Sequence, residues 1–122
     1  MSGEAARTVN DYLEAFTSGN VDRARELVAE DFDFHGPMMQ VKGRDAFFEG
    51  ASGLVPMVRG FRMLRQWEDG EDVASVYEFN VETPAGAGSV VMSEWNRVRD
   101  GKLLSARLIF DTSEFNRLMP QS

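Results

Sequence analysis

Asp69-Gly70 and Asp100-Gly101 each fall between two long runs in which apolar and polar residues alternate. Asp-Gly in that setting is the strongest short-range hairpin signal, because both residue types accept the positive φ that a tight turn needs. The first dipeptide joins residues 58–68 to 72–83, and the second joins 89–99 to 102–110. Pro84-Ala85-Gly86-Ala87-Gly88 links the two hairpins. The second half of the chain is thereby committed to an antiparallel meander.

Ahead of the meander the periodicity is helical. Over residues 4–17, Val9, Tyr12, Leu13 and Phe16 recur at i, i+3, i+4 and i+7, with Ala5 and Ala6 before them. That spacing predicts an amphipathic helix. Ser18-Gly19-Asn20 ends it, and Asn20 can cap a second helix over 23–30 that turns Ala24, Leu27 and Val28 inward. The pair reads as an αα-hairpin. From Phe32 the period is two, with Phe32, Phe34 and Gly36 on one face and Asp33 and His35 on the other. Gly36-Pro37 breaks this strand, residues 39–42 resume it, and 44–51 read as helix. A final helical turn over 113–119 stops at Pro120. The order α-α-β-β-α-β-β-β-β predicts a single α+β domain over 1–122, with the helices on one face of a curved sheet.

Composition removes several classes of function. Twenty acids against 13 bases give a net charge of −7, which opposes nucleic-acid binding. Arg59, Arg62 and Arg65 cluster, but Glu68, Asp69, Glu71 and Asp72 follow at once. One histidine and no cysteine make a poor zinc donor set and allow no disulfide. Neither GxxxxGK[ST] nor GxGxxG occurs, so nucleotide binding has no motif. No apolar run approaches the roughly 18 residues of a membrane span. The N-terminus is polar and then amphipathic, unlike a signal peptide, and a cytoplasmic location is expected.

Four side chains stand out as candidates for chemistry, the first three with a structural alternative. Asp111 follows the strand Arg107-Leu108-Ile109-Phe110; a carboxylate at the mouth of an apolar strand can be desolvated toward a general base's pKa. The Asp-Thr-Ser-Glu run also suits Asp111 as a helix N-cap. An imidazole can act as acid or base near neutral pH, so His35 is a candidate provided a bulge at Gly36 turns it from the outer face; otherwise it is a strand histidine bonded to a neighbour or exposed. Tyr12, on the stripe of the first helix, can donate from an apolar wall to a ligand carbonyl or can be core with its hydroxyl at the rim. Arg107 shares a face with Asp111 about 13 Å away, too far for an ion pair but able to flank a ligand. Phe16 and Trp95 are expected on a ligand pocket, among many aromatic and Met residues that otherwise build core.

Several phrases, in order and at consistent spacing, resemble the nuclear-transport-factor-2-like superfamily. Within it they are most similar to the SnoaL-like polyketide cyclase and ketosteroid isomerase branch. They are YLEAFTSGNVDRARELVAEDFDF, HGPMMQVKGRDAFFEG and EWNRVRDGKLLSARLIFDTSEF. The resemblance implies a cone-shaped fold enclosing one deep apolar pocket, in a homodimer. It also implies a hydrophobic, carbonyl-bearing small-molecule ligand and no metal or organic cofactor.

The resemblance bears on individual residues too. Phe110-Asp111 matches the cyclases' acid/base aspartate. Gly36 falls where the isomerases keep their catalytic carboxylate, so isomerisation by that route is not expected. Glu94, on one face with Met92 and Asn96, matches the isomerases' protonated pocket acid if the 100–101 turn is counted one residue short. Otherwise Ser93 takes that place, and Glu94 lies on a solvated face. Asp111 or His35 would then be the base, with Tyr12 or Glu94 stabilising an enolate. The superfamily also contains dehydratases and epoxide hydrolases with an Asp-Arg-Asp set, of which Arg107 and Asp111 supply two members. Non-catalytic binding or dimerisation modules share the fold, so the fold alone does not choose.

Overall fold

A six-stranded sheet in the order β2-β1-β6-β5-β4-β3 forms the frame of the computed structural model, which describes residues 3–118. Four long strands, β3 (Val58–Asp69), β4 (Asp72–Thr83), β5 (Gly86–Arg99) and β6 (Lys102–Phe110), make the expected antiparallel meander. Both Asp-Gly sites are turns, each of its own kind. Asp69 pairs with Asp72, so the first loop is Gly70-Glu71 with Gly70 at φ +61°, the glycine-first arrangement of a type II′ turn. Arg99 pairs with Lys102, and Asp100 and Gly101 both have positive φ, as a type I′ turn requires.

Helix α1 (Glu4–Thr17) lies across the sheet and buries Val9, Tyr12, Leu13 and Phe16. Its first turn is held by β3, since the Gly3 and Ala6 amides donate to Glu68 at 2.5 and 2.7 Å. Those two bonds hold the Glu68 carboxyl below its ordinary pKa. Further along, Asn10 and Gln66 exchange amide hydrogen bonds at 3.1 and 3.0 Å. These bonds pin the first half of the helix to β3. Register shifts in β3 after Val58 and after Met63 accompany the curvature of this open sheet.

The second helix departs from expectation. Asn20 accepts from the Arg23 amide at 3.3 Å as a cap, but α2 spans only Val21–Glu26. Residues expected to continue it begin β1 (Val28–His35) instead. The Leu27 carbonyl accepts from Leu103 at 2.8 Å, and Val28 pairs with Leu103, so β6 draws this segment into the sheet. Pairing across the fold wins over a weak helical stripe. β1 runs parallel to β6, the one parallel pairing among the described strands, and antiparallel to the short β2 (Gln40–Lys42). Helix α3 (Arg44–Ala51) and a 3₁₀ turn (Val55–Met57) precede β3, and α4 (Thr112–Leu118) follows β6. The expected end of that last helix, at Met119 and Pro120, lies outside the described residues.

The described helices cover one face of the sheet. The other face leaves Trp67, Val91, Trp95 and Ile109 exposed. None of the described helices is long and apolar enough to cross a membrane.

Candidate functional site

Period-two alternation decides what faces the helices. On β4 the buried set is Val73, Ser75, Tyr77, Phe79, Val81 and Thr83; on β5 it is Val90, Met92, Glu94, Asn96 and Val98. Between this face and the helices α1 and α3 lies a cavity of about 290 Å³. That is close to the lower limit for small-molecule sites. Tyr12, Leu13 and Phe16 line it from α1, and Phe47, Gly50 and Ala51 from α3. Phe34, Met39, Phe79, Leu108 and Phe110 add apolar wall. Met38, 52% exposed, marks where the cavity meets solvent, and Phe115 of α4 packs with its ring tilted against Phe110 beside it, at 5.1 Å between centroids.

Into this apolar space the fold places one carboxyl. Glu94 is the only carboxylic acid among the described wall residues and is 7% exposed. Ser75 lies opposite Glu94 and Met92 opposite Tyr77 in the β4–β5 register, so Tyr77 and Glu94 are diagonal neighbours on one face. The Tyr77 hydroxyl donates to Glu94 Oε1 at 2.5 Å, and Asn96 Nδ2 donates to Oε2 at 3.0 Å. Burial pushes the Glu94 carboxyl up from its ordinary pKa, while these two donors pull it back. Burial first, and then the Glu94 charge, raise both the Tyr12 and the Tyr77 phenols well above their usual value. Both therefore remain hydrogen-bond donors throughout the physiological range. The Tyr12 hydroxyl has no hydrogen-bond partner among the described residues, which leaves it available to a ligand.

The structure thus brings together Tyr12, Phe16 and Glu94 from the expected set and adds Tyr77. The other four expected residues lie elsewhere. Asp111 does not line the cavity: it is exposed just past β6, and its Oδ1 accepts from the Ser113 amide at 2.9 Å, as an N-cap of α4 does. His35 stays on the outer side with Asp33, 3.4 Å from its Oδ1, because β1 shifts register only before Asp33 and no bulge re-aims position 35. Arg107 pairs with His35 in register, and the two line a separate, shallower hollow of about 260 Å³ with Gln40 and Pro37. Trp95 is 51% exposed on the open face, where its indole N–H donates to Asp72 at 2.9 Å. One rule explains Arg107 and Trp95: neighbours along a strand point to opposite faces, so Leu108 and Glu94 take the inside. Asp111→Ala is accordingly expected to cost about 1 kcal/mol of stability through the lost cap. Thermal unfolding reads that loss, and any chemistry in the cavity should be unchanged.

Tyr77 is open to the same alternation, since DVASVYEFNVET places it on the face of Val73 and Phe79. Among the described residues, no group of three or more His, Cys, Asp or Glu is placed to hold a metal ion.

Comparison with known families then decides the lineage. A family model described as a SnoaL-like domain matches residues 9–106. The chain belongs to the SnoaL-like domain family. This family has the nuclear-transport-factor-2-like fold and includes isomerases, cyclases and epoxide hydrolases. Among solved structures, this SnoaL-like chain is similar to an NTF2-like protein of unknown function from Burkholderia pseudomallei. That pair is 20% identical with a TM-score of 0.82, over 99% of this chain and 100% of that one. A protein from Kribbella flavida is 26% identical with a TM-score of 0.80, over 92% and 90% of the two chains. An LEH-like epoxide hydrolase of M. tuberculosis is 20% identical with a TM-score of 0.80, over 94% and 89%. No curated protein matches the chain.

Proposed function

We propose that this SnoaL-like protein is a cofactor-independent enzyme that binds an apolar, carbonyl-bearing small molecule and moves a proton next to the carbonyl. The observation that carries the reading is one buried carboxyl, Glu94, set in an otherwise apolar cavity beside a free phenol. A general base works best with a pKa near the operating pH, and burial shifts Glu94 in that direction. Glu94 takes the proton from the carbon next to the carbonyl. The C–H electron pair forms the enolate, whose oxygen accepts from Tyr12, and the proton returns to the same or a conjugated carbon. This moves the role of base from Asp111 and His35 to Glu94, since neither of the first two reaches the cavity.

The test works without the natural substrate in hand. A panel of small apolar ketones and enones is incubated with the protein in D₂O, and deuterium entering the α-carbon is followed by NMR. Tyr12→Phe should slow exchange roughly 10²-fold, the usual effect of removing one oxyanion donor. A non-catalytic binding role uses the same cavity and is favoured by one observation, that both Glu94 oxygens already accept hydrogen bonds. Ketones that bind without exchanging a proton would assign that role and end the enzymatic one.

A further inference from the structure

Asn96 is 0% exposed, the most buried polar side chain among the described residues, and it does not line the cavity. It stands two residues beyond Glu94 on the same face of β5. Its Nδ2 lies 3.0 Å from Glu94 Oε2 and 3.4 Å from the Ser105 carbonyl of β6. A carbonyl can only accept, so the amide must turn its NH₂ group toward this side. Asn96 therefore presents a donor to Glu94. Its Oδ1 is left buried with no partner among the described residues. An unpaired buried acceptor is destabilising, and an apolar side chain of that size would avoid it. The return for that loss is the bond to Glu94.

The groups around the carboxyl are few. Tyr77 faces it from β4 and Tyr12 from α1, with Ser75 opposite on β4 and Leu108 opposite on β6. No cation among the described residues acts on it. Among the described residues only two donors, the Tyr77 hydroxyl and the Asn96 amide, offset the loss of water around the charged form.

We propose that Asn96 is a positioning residue: it holds Glu94 Oε2 from behind the cavity wall, fixing the carboxyl between Asn96 and Tyr77 and keeping it an acceptor ready to take a proton. The inference rests on the proposed role of Glu94 as base, but its measurement does not depend on turnover.

Carbon-detected NMR of the Glu94 side-chain carboxyl against pH gives the midpoint directly. In the unaltered protein the Asn96 side-chain amide resonances should shift with the same midpoint. A flat amide response would overturn the proposal. In Asn96→Leu, similar in size but without a donor, the Glu94 midpoint should rise by about one to two units. In Asn96→Asp it should rise further, because two adjacent carboxyls share one proton. A folded Asn96→Leu protein with an unmoved midpoint would also overturn it, and should that variant not fold, the wild-type amide response decides alone. A purely structural asparagine would change stability and leave the midpoint where it was. If the titrations behave as expected while no ketone exchanges a proton, the enzymatic reading falls and the Asn96–Glu94 coupling stands.

Discussion

Glu94→Gln will slow α-proton exchange of a bound apolar ketone by roughly 10²- to 10⁴-fold, the usual contribution of a positioned general base. The substitution keeps shape and volume: the glutamine Oε1 can accept from the Asn96 amide while its NH₂ group donates to the Tyr77 hydroxyl oxygen. What it removes is the one group on the described wall able to hold a proton at one moment and release it at the next. Ketone binding, read by ligand-detected NMR, should therefore persist while exchange is lost.

The pH dependence carries a sign. Burial raises the Glu94 pKa, and a base must be deprotonated, so exchange in the native protein rises with pH through that raised value. Stability runs the other way. Between the ordinary and the raised pKa the native state holds the proton more tightly than the unfolded chain, so the Glu94 contribution is full below the ordinary value. It is lost as pH climbs through the raised one. Gln copies the neutral form, so the variant should lose no stability at neutral pH. Exchange unchanged in Glu94→Gln would end the proposed mechanism, whatever the panel of ketones.

Why Glu94 is legible in the sequence and Asp111 is not follows from where each lies in its strand. Glu94 is in the middle of β5, where pairing on both sides enforces alternation and the face it shares with Met92 and Asn96 can be counted. Asp111 comes one residue after β6 ends, and past that point the period-two rule no longer applies. There the backbone amides of α4 compete for the carboxylate, and the cap wins. His35 is the last residue of its strand and keeps the alternation through it, so a bulge is the wrong allowance there. Tyr77 reads as one more core aromatic, although its position on β4 is as countable as that of Glu94.

The long hairpins are local events, each fixed by two loop residues and the alternation around them. The start of β1 is not local. Leu27 and Val28 meet Leu103, some seventy-five residues on in sequence, and no pattern within VDRARELVAE announces that partner. The pairing matters to the site, because it closes the sheet order that sets Phe34 and Leu108 on one cavity wall.

That dependence makes Phe32 the place where the fold is most easily broken. Its ring is 0% exposed and meets Phe47 of α3 edge-on at 5.2 Å between centroids, with Phe34 at 6.3 Å. Phe47 in turn lies 4.8 Å from Phe34 and 5.0 Å from Phe48, so one aromatic layer joins β1 to α3 directly behind the ligand space. Phe32→Ala should destabilise the protein by about 3–5 kcal/mol, through lost burial and the void left among rings that cannot all close in. Against a total of roughly 5–15 kcal/mol this is a large fraction. For a chain of this size it lowers Tm by about 10–20 °C in a calorimetric scan. Loss of ligand affinity should accompany it, because Phe34 and Phe47 are wall as well as core. Phe115→Ala is the informative contrast. Phe115 is only half-buried, at the rim, so its loss should lower Tm by a few degrees at most while still weakening ligand binding. A small change in Tm for Phe32→Ala would mean that the aromatic layer is not what fastens α3 to the sheet. The cavity would then owe its shape to α1 and its hold on Glu68 and Gln66.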